Sequence, residues 1–270
     1  MKRGVAAAKI NLALVVGPRR RGGRHELITV YQRIALADSI EIRRAERNEV
    51  SGFEADTLVM GALDALTSAD DVRLAVRIDK RIPVAAGLGG GSADAAATLS
   101  LGNQLLERPL ADDQLDSIAR ELGADVPYFL RPGPQLGAAD GTELRPLDLP
   151  QDFWVLLVLP HGEAKPSTAE VYAQFDARRG DEGFHHRSAA LLSALERVRR
   201  PRDLAALPAN DLASSPLADE LRSLGAFRAD VSGAGPVVYG LFLHRSVALE
   251  AQRRVRARGR TWLTAPAWYV

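Results

Sequence analysis

Glycines are concentrated in one short stretch, directly before an alanine-rich run of helix-forming residues: Gly87, Gly89, Gly90 and Gly91. Glycine is costly in regular structure, so such a cluster indicates unusual backbone angles or a close approach of the backbone to a ligand. We expect Ser92 to cap a helix over residues 92–106, with Asp94 in its first turn. A glycine loop that leads into a helix start presents backbone N–H groups and the positive end of the helix dipole to an anion such as phosphate.

This stretch fits neither of two common phosphate-binding fingerprints. It lacks the Gly-Lys-Ser/Thr ending of a Walker A loop, and Ser92 stands where a dinucleotide-binding fingerprint has its third Gly or Ala. A tight turn with close helix packing is the structural alternative. The density of glycines favours a phosphate site.

Lys9 and Asn11 interrupt an otherwise apolar strand, "AAAKINLAL". With a period of two, both side chains point to the same face. A lysine in a buried strand is costly unless an anion meets it, whereas a lysine on an edge strand reaches solvent. The sequence leaves these two interpretations of Lys9 open.

Asp125 lies in a turn, "ELGADVPYF", between Gly123 and Pro127. Such an aspartate can simply cap a following short helix. Its apolar neighbours also suggest a partly desolvated carboxylate that could accept a proton from a substrate hydroxyl. A second glycine-containing turn, "SGAGP" at residues 232–236, carries little information by itself.

The elements that must position these residues mix strands and helices without regular alternation, which predicts an α+β fold. We place a domain boundary near residue 150, giving an N-terminal domain over 1–150 and a C-terminal domain over 151–270. Strands are predicted at 5–16, 27–36, 38–46, 73–79, 153–160, within 227–243 and at 261–270, the last of which may return to the N-terminal domain. Further helices are predicted at 55–67, 111–123, 167–178, 184–199, 215–224 and 245–258.

The whole chain has 270 residues, with 35 basic and 34 acidic side chains and no cysteine. The balanced charge argues against a general binder of nucleic acids or membranes, and the absence of cysteine excludes disulfides and thiolate chemistry. The basic run at 253–260 reads as a solvated helix face, whereas that at 19–24 lies in a loop where it could meet an anionic substrate. We expect a cytoplasmic protein without an export signal, a monomer or weak homodimer.

Taken together, the motifs resemble those of the GHMP small-molecule kinases, named for galactokinase and the homoserine, mevalonate and phosphomevalonate kinases. "AAAKINLAL" is similar to the family's first motif, "PVAAGLGGGSADAAA" to its second and "SGAGP" to its third. The resemblance spans residues 5 to about 242. It implies a two-domain fold with the active site in the cleft between the domains.

The resemblance also implies site residues. Lys9 and Asp125 correspond to a catalytic pair, in which Asp125 takes a proton from the substrate hydroxyl and Lys9 steadies the developing charge. Ser92 is the expected contact to Mg²⁺ or the β-phosphate. ATP phosphates are expected on one loop: Pro83, Val84, Ala85, Ala86, Gly87, Leu88, Gly89, Gly90, Gly91, Ser92 and Ala93. A small-molecule substrate, a cytidine diphosphate alcohol, is expected to contact Asn11, Arg24, His25 and Tyr172.

The chain departs from the family pattern at three positions. Arg24 stands where an aromatic ring normally stacks on the cytosine, although a guanidinium plane can also stack on a base. Thr57 replaces an asparagine of the adenine pocket, and Ala93 replaces a second serine. A GHMP kinase with a different small alcohol as substrate, or a nucleotide-binding member without catalysis, therefore remains an alternative.

Overall fold

The computed structural model describes residues 1–53, 56–162 and 167–267, and within them the strands form two sheets. The first sheet has the order β3-β4-β2-β5-β6, with β1 paired to β2. Its neighbours are antiparallel except β3 and β4. The strands of this sheet are β1 (Lys2–Arg19), β2 (His25–Arg44), β3 (Glu49–Ser51), β4 (Leu74–Asp79), β5 (Gln135–Ala138) and β6 (Glu143–Pro146).

Four helices belong to the same half of the chain: α1 (Thr57–Asp70), α2 (Gly90–Asn103), α3 (Asp112–Leu122) and the short α4 (Val126–Phe129). Apolar side chains of the first three helices bury an apolar core against β2 and β4, with Leu63, Leu99 and Ile40 fully buried. This core gives α2 a fixed position, so the loop that precedes it has a defined end.

The second sheet has the order β10-β7-β9-β8 and is antiparallel. Its strands are β7 (Trp154–Pro160), β8 (Arg228–Val231), β9 (Val238–Phe242) and β10 (Gly259–Thr264). The helices of this half are α5 (Thr168–Ala177), α6 (Phe184–Leu195), α7 (Pro216–Ser223) and α8 (Arg245–Val255), with a 3₁₀ helix at Pro201–Ala206.

A shared apolar core joins the two sheets. Ile10 and Leu12 of β1 pack in one buried cluster with Val155 of β7 and Leu241 of β9. The first sheet ends at Pro146 and the second begins at Trp154, on either side of the predicted boundary, which stays a prediction. No helix in the described part of the chain is long and apolar enough to cross a membrane.

Two predicted strands, 27–36 and 38–46, are in fact the single strand β2. Asp38, the first residue after the predicted break, is buried and accepts hydrogen bonds from residues that follow β4. The sequence shows a polar residue here, and only the fold supplies its partners. β2 can therefore run unbroken along β1.

The stretch after α4 is rich in turn residues, which favour a loop, but it contains the hairpin β5–β6. The short β3 and the 3₁₀ helix were also missed, since both are too short to show a period. β10 ends at Thr264, whereas the predicted strand ran to residue 270, and residues 268–270 lie outside the described residues. After β10, Ala267 donates its amide to Arg33 of β2, so this segment does contact the first sheet.

Candidate active site

A cleft of about 880 Å³ is lined by all the predicted site residues except Ala93. Lys9 and Asn11 reach it from β1, and Tyr172 reaches it from α5. Ala93 lies in the apolar core beneath α2 instead. The fold thus gathers residues that are far apart in sequence, while their individual roles stay predictions.

The glycine-rich loop packs against the "SGAGP" turn of the other half. Gly87 has a φ of +80°, and a Cβ there would lie 2.2 Å from the Ser232 carbonyl oxygen. The Ser232 hydroxyl donates to the Gly87 carbonyl at 2.9 Å. Gly87 therefore allows the two motifs to pack closely. This contact places the "SGAGP" turn beside the glycine-rich loop at the cleft.

The helix after the loop begins earlier than predicted. α2 starts at Gly90, with Gly89 as its N-cap at a φ of +70°, a left-handed conformation that favours glycine. Ser92 lies inside the first turn, so its predicted role as the cap is wrong. The first backbone N–H groups of a helix lack intrahelical acceptors, which leaves those of Gly90 and Gly91 available to an anion.

Beneath this first turn lies a buried ion cluster that the sequence analysis missed. Lys80 Nζ donates to Asp94 Oδ2 at 2.5 Å and to Asp38 Oδ2 at 2.8 Å. Asp38 Oδ1 accepts the amides of Arg81 and Ile82 at 2.5 and 2.8 Å. Burial raises the pKa of Asp94 to about 8. Contrary to the prediction, Asp94 does not lie in the first turn of α2, where it would face the helix dipole. It ties α2 to the start of the loop instead.

The predicted catalytic pair is close in space. Lys9 Nζ lies 3.3 Å from Asp125 Oδ2 and donates to Asn11 Oδ1 at 2.7 Å. The Asn11 amide donates in turn to Thr29 Oγ1 at 2.8 Å. The Lys9 side chain is only 5% exposed, whereas that of Asp125 is 32% exposed. Lys9 is thus a buried lysine that meets an anion, not an edge-strand lysine in solvent.

Asp125 is the N-cap residue of α4, but its side chain accepts no capping hydrogen bond from the described residues. Its Oδ1 instead accepts a hydrogen bond from the Tyr31 hydroxyl at 3.0 Å. Burial, with the nearby Asp125 charge, raises the pKa of Tyr31 well above its usual value, so that Tyr31 keeps its proton. The side chain of Asp125 therefore does not cap the short helix, which was the structural alternative. Tyr31 was missed because an aromatic residue in a strand reads as core.

His25 and Tyr172, predicted to bind substrate, contact each other. Their rings stack with centroids 4.7 Å apart. His25 Nε2 lies 2.7 Å from Asp176 Oδ1, and this hydrogen bond lowers the pKa of Asp176. Burial raises the pKa of Tyr172 to about 12, so its hydroxyl stays neutral. The ring pair forms an aromatic wall of the cleft.

Arg24 and Arg19, from the basic run that precedes β2, both line the cleft. Arg24 pairs with Asp140 at 2.7 Å, and Arg19 pairs with Asp176 at 3.0 Å. The sequence carries no signal for these carboxylate partners, because they are distant in the chain. The loop is therefore held at the cleft by ion pairs while its guanidinium groups stay largely exposed.

Thr57, which the resemblance predicts for the adenine pocket, is the first residue of α1 and lines the cleft. Asp56 caps the same helix by accepting the amides of Leu58 and Val59. The basic run near α8 is different, because Arg253 and Arg254 both pair with Glu250 on that helix. This pattern fits a solvated helix face.

Comparison with known proteins gives matches over the whole chain. The model of the GHMP kinases N terminal domain matches residues 57–133, and that of the GHMP kinases C terminal domain matches residues 190–261. The 4-diphosphocytidyl-2-C-methyl-D-erythritol kinase of Geobacter sulfurreducens is 35% identical, with 96% of both chains covered. The enzyme of the same name from an Anaeromyxobacter strain is 37% identical, with 93% of this chain and 85% of that one covered.

Solved structures agree with this. A crystal structure of 4-(cytidine 5'-diphospho)-2C-methyl-D-erythritol kinase has a TM-score of 0.79 and 29% identity, covering 98% of this chain and 99% of its own. The mevalonate kinase of Methanococcus jannaschii has a TM-score of 0.77 at 13% identity, with 98% of both chains covered, which shows the fold alone. Sequence relatives, family models and fold agree: the chain belongs to the GHMP kinase family.

Proposed function

We propose that the protein is an ATP-dependent kinase that phosphorylates the 2-hydroxyl of 4-diphosphocytidyl-2-C-methyl-D-erythritol, giving the 2-phosphate and ADP. This reaction belongs to the synthesis of isoprenoid precursors. The observation that carries the proposal is the Lys9–Asp125 pair, which shares one cleft with the glycine-rich loop. The choice of substrate is supported by the names of relatives at 35% and 37% identity.

The glycine-rich loop is the proposed phosphate site. Backbone N–H groups at the start of α2 lack helical acceptors, and the glycines that carry them add no side chain of their own in the cleft. Phosphoryl transfer depends mainly on positioning and on neutralising charge, which such amides and a nearby lysine can do. Lys80 Nζ lies 3.2 Å from the Cβ position of Gly90, which places a second ammonium next to the loop.

Magnesium fits this site as an ion carried by the nucleotide. Mg²⁺ in kinases is bound by one or two protein oxygens together with phosphates and waters. The described residues hold no cluster of three or more His, Cys, Asp or Glu side chains for a metal, and the Ser92 hydroxyl lines the cleft. We propose Ser92 as a ligand. Bound there, the ion would neutralise phosphate charge.

Asp125 is the proposed general base. Its partly exposed carboxylate can accept the proton of the attacking hydroxyl while that oxygen forms its bond to the γ-phosphorus. Lys9, whose Nζ lies 3.3 Å from Asp125 Oδ2, stabilises negative charge on the attacking oxygen. Asn11 holds the Lys9 ammonium in place, because its Oδ1 accepts a hydrogen bond from Lys9 Nζ.

The test is an assay of ADP release over four alcohols: the cytidyl compound, homoserine, mevalonate and a phosphorylated sugar. We expect turnover with the cytidyl compound. Turnover confined to another alcohol would overturn the proposed substrate, but the assignment as a kinase would stand. Silence with all four, with ATP still bound by calorimetry, would favour a member that binds nucleotide without catalysis.

A further inference from the structure

Two side chains of β2 hold the short helix that follows Asp125. Tyr31 and Arg33 are two residues apart on one strand, so they point to the same face. The register of the ladder places Tyr31 opposite Asn11 and Arg33 opposite Lys9. One face of the β1–β2 pair therefore carries the proposed catalytic lysine on one strand and both contacts to α4 on the other.

Tyr31 acts on the start of α4. Its hydroxyl donates to Asp125 Oδ1 at 3.0 Å, and its ring stacks on that of Tyr128 with centroids 4.7 Å apart. The residue is only 3% exposed. A buried hydroxyl needs a hydrogen-bond partner, and here the partner is the carboxylate of the proposed base.

Arg33 acts on the other end of the same helix. This buried guanidinium donates from Nη2 to the Phe129 carbonyl at 3.1 Å and to the Arg131 carbonyl at 2.8 Å. The last carbonyls of a helix lack intrahelical donors, so the guanidinium satisfies the one at Phe129, together with the Arg131 carbonyl just beyond α4. It also lies over the rings of Tyr128 and Phe129.

We propose that Tyr31 and Arg33 are positioning residues for the base, fixing the direction of the Asp125 carboxylate from the two ends of α4. Tyr31 occupies Oδ1, which leaves Oδ2, 3.3 Å from Lys9 Nζ, to receive the substrate proton. Tyr31 keeps its own proton throughout, so the only proton transferred is that of the substrate hydroxyl. This inference rests on the proposed role of Asp125.

The first test is Tyr31→Phe, which removes the hydroxyl and keeps the ring. We expect kcat to fall about tenfold, the scale of one lost hydrogen bond to a charged group, with KM for ATP and for the alcohol unchanged. Tyr239→Phe is the matched control: it removes another buried tyrosine hydroxyl, one that contacts Arg228 and Leu12 and does not line the cleft, and kcat should stay within twofold. Unchanged kcat in Tyr31→Phe would overturn the inference.

A double-variant cycle separates positioning from a general structural effect. In an Asp125→Asn background, Tyr31→Phe should lower single-turnover rates no further, because the group on which it acts is gone. An equal loss in both backgrounds would mean that Tyr31 only stabilises the fold, and would overturn its positioning role. Near-normal turnover of Asp125→Asn itself would instead overturn the proposed base, and with it this inference.

Arg33→Lys tests the other end of α4. A lysine keeps the charge but lacks the planar guanidinium, whose Nη2 donates to two carbonyls while the group lies over the rings of Tyr128 and Phe129. We expect a loss of kcat of about fivefold or more in the wild-type background and none in Asp125→Asn, with urea midpoints checked for folding. If the variant fails to fold, the Tyr31 cycle still decides the proposal. A folded variant with full kcat would remove Arg33 from it.

Discussion

The loop side and the proton-transfer side of the cleft are built in different ways. The proposed phosphate loop consists largely of backbone, with Gly87 and Gly89 in left-handed conformations. The Lys9–Asp125 centre consists of side chains, each fixed by a hydrogen bond: Lys9 donates to Asn11 of its own strand, and Asp125 accepts from Tyr31 of β2. A backbone site fails when a side chain intrudes, whereas a side-chain site fails when one functional group changes. The two sides should therefore respond to different substitutions.

Asp125→Asn should give the largest effect. The amide keeps the shape of the carboxylate but cannot take a proton, so kcat should fall about 10²–10⁴-fold, the range of general-base catalysis. ATP affinity, measured by calorimetry, should not change, because the loop does not depend on this side chain. Turnover within a few-fold of wild type would make Asp125 structural and remove the contrast between the two sides.

Gly91→Val should break the loop side alone. A Cβ there lies 3.6 Å from the nearest protein atom, so the fold has room, yet the residue lines the cleft. Gly90 is a poorer choice, because its Cβ would lie 3.0 Å from Ile82. We expect the Kd for ATP to rise about ten- to hundredfold, as for one lost hydrogen bond to a charged group.

The control for this variant is Gly22→Val, which makes the same change where a Cβ meets no atom within 4 Å. Its ATP affinity should equal that of the wild type. Equal affinities in both variants, with both folded, would mean that the nucleotide does not use the start of α2.

Tyr172→Ala asks whether the aromatic wall holds the base of the substrate. KM for the cytidyl compound should rise about tenfold, since stacking on a base is worth about 1–3 kcal/mol. Tyr172→Phe keeps the ring and should keep the KM. Equal KM values in all three proteins would mean that the base of the substrate binds elsewhere. Arg24, exposed in the same cleft, would then be the next residue to change.

Asp94→Asn should change stability, with little effect on kcat. Burial raises the pKa of Asp94 to about 8, above its usual 3.8, so between these values the folded chain binds more protons than the unfolded chain. Its stability therefore falls as pH rises through that window, and an asparagine escapes this loss. Relative to wild type, the variant should gain up to about 4 kcal/mol in the free energy of unfolding between pH 5 and pH 8, at about 1.4 kcal/mol per pH unit.

Urea titrations at the two pH values measure this difference. The asparagine side chain of the variant can still accept a hydrogen bond from Lys80, so the link between α2 and the start of the loop is kept. Parallel stability curves for the two proteins would show that Asp94 is ionised throughout, paired with Lys80.

Several elements were predictable because their signals are local. The helical periods of α1, α3 and α8 predicted helices close to the observed bounds, and the alternation around Lys9 predicted that it shares a face with Asn11. The hairpin β5–β6 was not predictable, since its turn residues suggested a loop. Nor was Tyr31, whose hydroxyl meets a carboxylate 94 residues away.

The sequence by itself determined the chemistry available to this protein: a glycine cluster before a helix, a lysine in an apolar strand and an aspartate in a turn. These are properties of residue type and near neighbours, which act through backbone freedom, burial and period. Only the tertiary structure decided which groups meet. In the folded chain Lys9 lies beside Asp125, and Lys80 pairs with both Asp38 and Asp94. The helix begins at Gly90, whereas the sequence predicted a start at Ser92. The physical reason is that an ion pair or a hydrogen bond depends on distance in space, which packing of the two sheets sets.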